Sequence, residues 1–281
     1  MQTLLELLKS SSKELQHSHV GDARLSAEIL LAHILGCKRM DLYLHFDQPL
    51  EEKEVKAYQL LLERRKKREP VAYICGSVPF FHLEIEVNKD VLIPRPETEL
   101  LVEKMVDRLK KEDLSGKLFM DLCTGSGCMA LAIKQNFPEL RVAASDISPQ
   151  ALEVAKRNAK NNSLVIEYHL GDLLEGFSEK IDFLCCNPPY ISEEEQSSLE
   201  EEVVLYEPRE ALFAKDFGYE FYERLSQILP SYLHPKAKIF FEIGKGQKSQ
   251  MQKIFCQKPW ILPQFFCDYN GIDRFFFLET E

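Results

Sequence analysis

The sequence predicts an α/β protein, a Rossmann-like seven-stranded sheet preceded by a small α-helical bundle. Three observations carry this. From Leu118 onward, apolar strand-like runs alternate with helical patterns, which is the mark of a parallel sheet with crossover helices. Asp121-Leu-Cys-Thr-Gly-Ser-Gly127 follows the first of those runs and opens a helical stretch. The first 70 residues carry helix periodicity without that alternation.

The 281 residues suit one large domain or two unequal ones. Apolar residues make up 45% and charged residues 28%, so disorder, collagen and coiled coil are poor readings. The 45 acidic side chains outnumber the 35 basic ones, giving −10, and this argues against a protein held to nucleic acid by its overall charge. The eight cysteines form no CxxC pair and no zinc-spaced cluster. With no signal peptide at the N-terminus, they fit a reduced, cytoplasmic protein. No apolar run approaches the ~20 residues a bilayer span requires, so no membrane association is expected.

Leu4, Leu5, Leu7 and Leu8 open the first helix, and Ala27, Leu30, Leu31, Ile34 and Leu35 form the second, with Gly36 as its C-cap. A third runs from about Glu51 to Arg68 and ends at Pro70. Its basic end, Arg64–Arg68, reads as solvated charge complementing a helix C-terminus. Tyr73–Cys75, Phe80–Val87 and Val91–Ile93 read as short strands. The chain then divides into a helical bundle over 1–72 that is expected to bind or position something, a hairpin linker over 73–93 and an α/β domain over 94–281. Its strands are expected at Leu118–Leu122, Arg141–Ile147, Val165–Leu170, Ile181–Cys186, Ala237–Ile243, Gln264–Tyr269 and Arg274–Leu278, with helices between the first five. Asn270-Gly271 marks a hairpin between the last two, so the sheet should end in one antiparallel strand. That arrangement is the one found in class I methyltransferases.

The glycine loop, Cys123, Thr124, Gly125, Ser126 and Gly127, lets a nucleotide-like cofactor approach the backbone at the carboxyl end of a strand. By itself it also fits the dinucleotide fingerprint, through Gly125, Gly127 and Ala130. Asp146 lies 19 residues past Gly127, where an acidic residue takes ribose hydroxyls of either cofactor. Asp172 sits where an adenine amino group could be read, and equally where a helix cap could.

Asn187-Pro188-Pro189-Tyr190 closes the fourth strand and is the most informative stretch. Two prolines stiffen it and remove two donors. Asn187 offers an acceptor and two donors, and Tyr190 a flat face for a planar group. A planar amide or aromatic NH2 is a poor nucleophile because its lone pair is delocalised. Accepting both of its N–H groups, at the Asn187 side-chain oxygen and the Pro188 carbonyl, orients the nitrogen towards an electrophilic methyl. Such catalysis works by positioning and needs no strong base.

With the glycine loop, Asn187-Pro-Pro-Tyr190 resembles the amino-methyltransferases, DNA adenine enzymes among them. Arg68-Glu-Pro-Val-Ala-Tyr-Ile-Cys-Gly76, Val91-Leu-Ile-Pro-Arg-Pro-Glu-Thr-Glu99 and Tyr206-Glu-Pro-Arg-Glu-Ala-Leu212 narrow the resemblance. They are similar to the HemK/PrmC family, the protein-glutamine N5-methyltransferases acting on the Gly-Gly-Gln motif of class 1 peptide-chain release factors. The resemblance covers essentially the whole chain. It implies that Cys123 to Gly127 and Asp146 hold S-adenosyl-L-methionine, that Asp172 or Leu173 contacts the adenine, and that Asn187 lies between cofactor and substrate. It further implies that Asn187, Pro188, Pro189 and Tyr190 hold the glutamine amide, with Pro94 to Thr98 covering the cofactor. Cys123 departs from the family's usual first glycine, at a modest steric cost; related ribosomal-protein glutamine methyltransferases often carry Cys there. Adenine N6-methylation of DNA or RNA is the competing chemistry. Six carboxylates at Glu193–Glu195 and Glu200–Glu202 are expected to repel a phosphate backbone, and no nucleic-acid substrate is expected.

Overall fold

The computed structural model describes residues 2–281. The chain forms two compact units. The first comprises Met1–Ser77 together with a later excursion, Glu200–Tyr206. The second comprises Val78–Leu199 and Glu207–Glu281.

In the first unit, helix α1 spans Leu4–His17, α2 Ala23–Leu35 and α3 Glu52–Lys66. Thr3 starts α1 with a reciprocal cap: its hydroxyl accepts the Glu6 amide at 3.3 Å, and the Glu6 carboxylate accepts the Thr3 amide at 2.9 Å. Gly36 ends α2 in the left-handed region, at φ 63°. Leu4, Leu15, Ala27, Leu30, Leu31 and Tyr58 are fully buried where the three helices meet. The Tyr58 hydroxyl donates to the Ala27 carbonyl at 3.3 Å, and burial pushes its phenol up to about 12.

Residues Tyr73–Cys75 are helical rather than extended, within the short α4, Val71–Cys75. Pro70 presets the start, and Gly76 (φ 83°) closes the turn by donating its amide to the Ala72 carbonyl at 2.8 Å. A run this short has no periodicity to separate helix from strand.

The basic end of α3 is paired, not solvated. Arg64 forms a two-pronged pair with Glu69, at 2.8 and 2.5 Å. Arg65 is buried, bonds Ser26 Oγ at 3.2 Å and pairs with Glu202. Arg68 faces Glu201 at 3.7 Å, and the Tyr206 hydroxyl donates to the Lys67 carbonyl at 2.7 Å. Short helix Glu201–Tyr206 therefore supplies this unit with the acceptors its cationic helix end lacks.

At the start of the second unit, β1 (Ser77–Phe80, its first residue the last of the first unit) and β2 (Leu83–Glu86) form a hairpin whose turn residues Phe81 and His82 both have positive φ. Val91–Ile93 forms no strand; the Ile93 amide donates to the Glu207 carboxylate at 3.1 Å instead of joining a ladder. The main sheet contains β3 (Leu118–Leu122), β4 (Arg141–Asp146), β5 (Glu167–Leu170), β6 (Ile181–Cys186), β7 (Leu233–Glu242), β8 (Trp260–Cys267) and β9 (Asp273–Thr280). Their order is β5-β4-β3-β6-β7-β9-β8. Only β9 runs against its neighbours, as expected from the Asn270-Gly271 hairpin, where Gly271 has φ 76°.

Two expectations fail here. Residues 171–180, between β5 and β6, hold turns and no helix, with Leu173 and Leu174 tucked into the core. Strand β8 begins at Trp260 rather than Gln264, because a bulge between Ile261 and Gln264 absorbs Leu262 (φ 52°) and Pro263, which broke the sequence pattern.

Arg65 buries a full charge, so Glu202→Ala should destabilise the protein by about 2–3 kcal/mol. This is below the full cost of orphaning a buried ion because Ser26 and the Glu69 carbonyl still accept. Denaturant unfolding of the two forms checks this; equal midpoints would contradict it.

Candidate active site

The parallel register places the site. Leu122 lies opposite Ser145 of β4 on one side and Cys186 of β6 on the other, and Asp146 pairs with Leu170 of β5. Four strands thus end side by side, releasing in sequence order the glycine loop, Asp146, Asp172 and Asn187. That edge is where doubly wound sheets bind ligands.

The glycine loop is tied from below by Asp121, a fully buried carboxylate. Its Oδ2 accepts the Thr124 hydroxyl at 2.6 Å and the Ala130 amide at 3.1 Å; its Oδ1 accepts the Cys185 thiol at 3.2 Å. Burial pushes its pKa up to about 6, against the pull of those donors. The Thr124 amide donates to the Ser145 carbonyl at 3.0 Å, so the loop is also pinned to β4. Thr124 and Ser126 are buried and shape the loop from within.

Gly125 has φ 53° and open space where a Cβ would stand. Gly127 has φ 82°, and a Cβ there would come within 3.1 Å of the Ala155 side chain, on the helix Pro149–Asn161. Cys123 itself has φ 56°. The departure from glycine therefore falls on a left-handed backbone, where a side chain costs about 1–2 kcal/mol. Its side chain packs on the sheet core.

Asp146 is half-buried at the end of β4. Its Oδ2 accepts the Gly125 amide at 2.8 Å and its Oδ1 the Ser148 amide at 2.9 Å. Each oxygen keeps a lone pair, enough for a vicinal diol. Burial raises its pKa, with the backbone amides opposing. Asp172 is held by Arg224 at 2.6 Å. Leu173 is buried at φ 56°, and its carbonyl accepts the Ser145 hydroxyl at 2.8 Å.

In the Asn187–Tyr190 motif, Pro188 and Pro189 are buried and Asn187 is half-buried. Among the described residues, the Asn187 side chain and the Pro188 carbonyl have no hydrogen-bond partner. Tyr190, by contrast, is held at both ends. Its hydroxyl donates to Glu242 Oε1 at 3.2 Å, and its carbonyl accepts from Gln247 Nε2 at 3.1 Å. Neither Glu242 nor Gln247 was singled out from the sequence. The available signal was a carboxylate at the end of an apolar strand, followed by Gly244 and Gly246. Arg95 was likewise read only as part of a motif; it pairs at 2.6 Å with Glu207, which is buried and also accepts the Ile93 amide. That bond fixes the segment Pro94–Thr98.

The acidic stretch after the motif is less charged than it reads. Glu193 pairs with Arg209 at 2.7 Å, Glu195 accepts the Ser192 amide at 3.1 Å, and Glu201 and Glu202 face Arg68 and Arg65. The expected repulsion of a phosphate backbone is correspondingly weaker than six free carboxylates would give.

A sheet of this order, with one antiparallel last strand and a glycine loop at the end of its first parallel strand, defines a class I methyltransferase. Residues 6–76 match the PrmC N-terminal domain and residues 96–213 the methyltransferase small domain. The chain is 38% identical to a release factor glutamine methyltransferase of Thermodesulfovibrio yellowstonii, over 90% of this chain and 91% of that one. It is 38% identical to one of Chlamydia trachomatis, over 98% and 94%. The crystal structure of a methyltransferase from Pyrococcus furiosus shares the fold, with a TM-score of 0.53 at 17% identity, covering 79% of this chain and 96% of that one. The chain belongs to the release factor glutamine methyltransferase family. No helix among the described residues is long and apolar enough to cross a membrane.

Asp121 binds a proton more readily folded than unfolded, because its pKa rises from 3.8 to about 6. Its contribution to stability is therefore present below about pH 4 and is lost as pH rises to 6. Asp121→Asn should remove that slope, so the variant gains stability relative to wild type between pH 4 and pH 7. Parallel pH dependences of the two unfolding midpoints would contradict the assignment.

Proposed function

We propose that this protein transfers a methyl group from S-adenosylmethionine to the side-chain amide nitrogen of the glutamine in the Gly-Gly-Gln motif of class 1 release factors, in the cytoplasm. The observation that carries this reading is the pair of unpartnered acceptors, Asn187 Oδ1 and the Pro188 carbonyl, on a proline-stiffened turn beside the glycine loop.

The residues present fit the cofactor. Gly125 leaves the space above the loop open, and Asp146 keeps acceptor capacity on both carboxylate oxygens for the ribose diol. Cys123 to Gly127 would line the cofactor's amino-acid end, and the Leu173 amide, with Asp172, the adenine edge. Bound there, S-adenosylmethionine supplies an electrophilic methyl on a sulfonium.

This chain's own residues supply position. The Asn187 oxygen and the Pro188 carbonyl accept the two N–H groups of the glutamine amide, which turns its lone pair out of conjugation and towards the loop. Pro188 and Pro189 keep those acceptors from collapsing onto backbone donors, because neither has an N–H to give. The ring of Tyr190 supports the amide plane. Immediately after transfer the nitrogen would carry the methyl, both hydrogens and a positive charge; a nitrogen so charged is strongly acidic, so one proton can pass to the same acceptors and then to solvent without a dedicated base, leaving the neutral methylamide.

The helical unit, residues 1–72, is the part that docks the release factor, and 94–281 the part that carries the chemistry. The resemblance of two segments, Arg68–Gly76 and Val91–Glu99, to the release-factor enzymes supports the choice of substrate over a ribosomal protein or an adenine base.

Asn187→Ala should leave the S-adenosylmethionine dissociation constant within about twofold while methyl transfer falls 10²-fold or more. Asp146→Ala should weaken cofactor binding first. Calorimetric titration and mass spectrometry of the release factor check both. A wild-type protein that binds the cofactor yet adds no methyl to the Gly-Gly-Gln glutamine would overturn the substrate assignment.

A further inference from the structure

The run Glu242-Ile-Gly-Lys-Gly-Gln247 leaves strand β7 beside the Asn187–Tyr190 turn and holds Tyr190 at two points. Glu242 is almost fully buried, with 2% of its surface exposed. One of its oxygens accepts the Tyr190 hydroxyl at 3.2 Å; the other accepts the Thr98 hydroxyl at 2.8 Å. Its backbone carbonyl accepts the Tyr222 hydroxyl at 2.7 Å. A carboxylate so placed is stripped of water, and an apolar side chain would fill a sheet end without that cost. Its position is explained by what it joins: Tyr190 of the substrate-holding turn and Thr98 of the Pro94–Thr98 segment.

Gln247 completes the hold. Its side-chain oxygen accepts the Gly244 amide at 2.7 Å, which fixes which way the amide faces, and its Nε2 then donates to the Tyr190 carbonyl at 3.1 Å. Gly218, at φ 87°, lets a third segment close on the same spot, since a Cβ there would collide with the Tyr190 carbonyl oxygen. The residues before it, Asp216 and Phe217, also have positive φ, so this turn is bent to fit. Tyr190 is thus fixed at its phenol, its carbonyl and the backbone behind it.

We infer that Glu242 and Gln247 are positioning residues that act on methyl transfer through Tyr190, Glu242 by its phenol and Gln247 by its carbonyl. The inference rests on the amide-holding role proposed above for the Asn187–Tyr190 turn. If Tyr190 sets the plane of the amide, a loosened ring lowers the fraction of bound substrate that faces the methyl. That is a loss in kcat with KM little changed; the Gln247 contact, which does not reach the Pro94–Thr98 segment, leaves cofactor affinity unchanged as well.

The test is a double-mutant cycle on full-length protein, with unmethylated release factor as substrate and single-turnover transfer read by mass spectrometry. Glu242→Ala should lower the transfer rate 10- to 100-fold, and Glu242→Gln, whose amide oxygen still accepts a hydroxyl, should recover it to within about fivefold of wild type. In a Tyr190→Phe background, Glu242→Ala should cost less than threefold, because the bond to the phenol is already gone and only the bond to Thr98 is left to lose. Gln247→Glu keeps the acceptor for Gly244 and loses the donor to Tyr190; it should lower the rate about tenfold with the S-adenosylmethionine dissociation constant unchanged. It also serves if Glu242→Ala does not fold. Independent, multiplicative losses in the cycle, or a Glu242→Ala or Gln247→Glu protein that is less stable yet transfers at the wild-type rate, would overturn the inference. If wild type transfers no methyl, the proposed function fails and takes this role with it; if wild type transfers and the variants match it, the positioning role alone fails.

Discussion

The arrangement depends most on one constraint: β3, β4, β5 and β6 are parallel and end in register. Because Leu122 pairs with both Ser145 and Cys186, three neighbouring strands end at the same level, so the chain leaves each of them about one strand spacing, ~4.8 Å, from the next. Residues 123, 146 and 187 are distant in sequence and become neighbours only through that pairing. A one-residue slip of β6 would exchange the faces that Cys185 and Cys186 occupy, break the Cys185–Asp121 bond and carry Asn187 away from the loop. Burial on both faces opposes such a slip, since every residue of β3 and of β6 is buried.

Asp121 fastens this register to the cofactor loop. It is the last polar residue of β3, and its three donors come from the loop, from the helix the loop opens and from β6. A neutral side chain could fill the space, but none would accept from all three at once. A carboxylate with its pKa pushed to about 6 is the result of that geometry in a dry interior. Asp146, one strand over, accepts the Gly125 amide, so the loop is braced from two neighbouring strands. The loop's shape is therefore a property of the sheet.

Much of this was legible in the sequence because its signals are local. Strand β3, the glycine loop and the helix after it occupy consecutive residues, and Asn270-Gly271 announces the last hairpin on its own. What could not be read was decided by partners far along the chain. Tyr73–Cys75 is helical because of its flanking Pro70 and Gly76, and Val91–Ile93 is not a strand because Glu207 takes the Ile93 amide. Arg64–Arg68 reads as a solvated basic run until Glu201 and Glu202 return from far downstream to meet it. The same pairing removes charge from an acidic stretch that otherwise reads as a barrier to nucleic acid. A tally of charges along a sequence describes its surface only when the charges do not find each other.

The site separates groups that are held from groups that are free, and that separation is what the chemistry requires. Tyr190, Asp146 and Thr124 each make defined bonds to neighbouring segments. Asn187 and the Pro188 carbonyl, set between them, make none among the described residues. In an Asx turn an asparagine closes on its own backbone two residues on, which would consume its oxygen. Here the residue two positions on is Pro189, which has no N–H to offer. The prolines thus keep the asparagine oxygen open as much as they stiffen the turn. Replacing Pro189 by a residue with an amide would restore that local acceptor–donor pair, and the substrate amide would then have to compete with the backbone for Asn187.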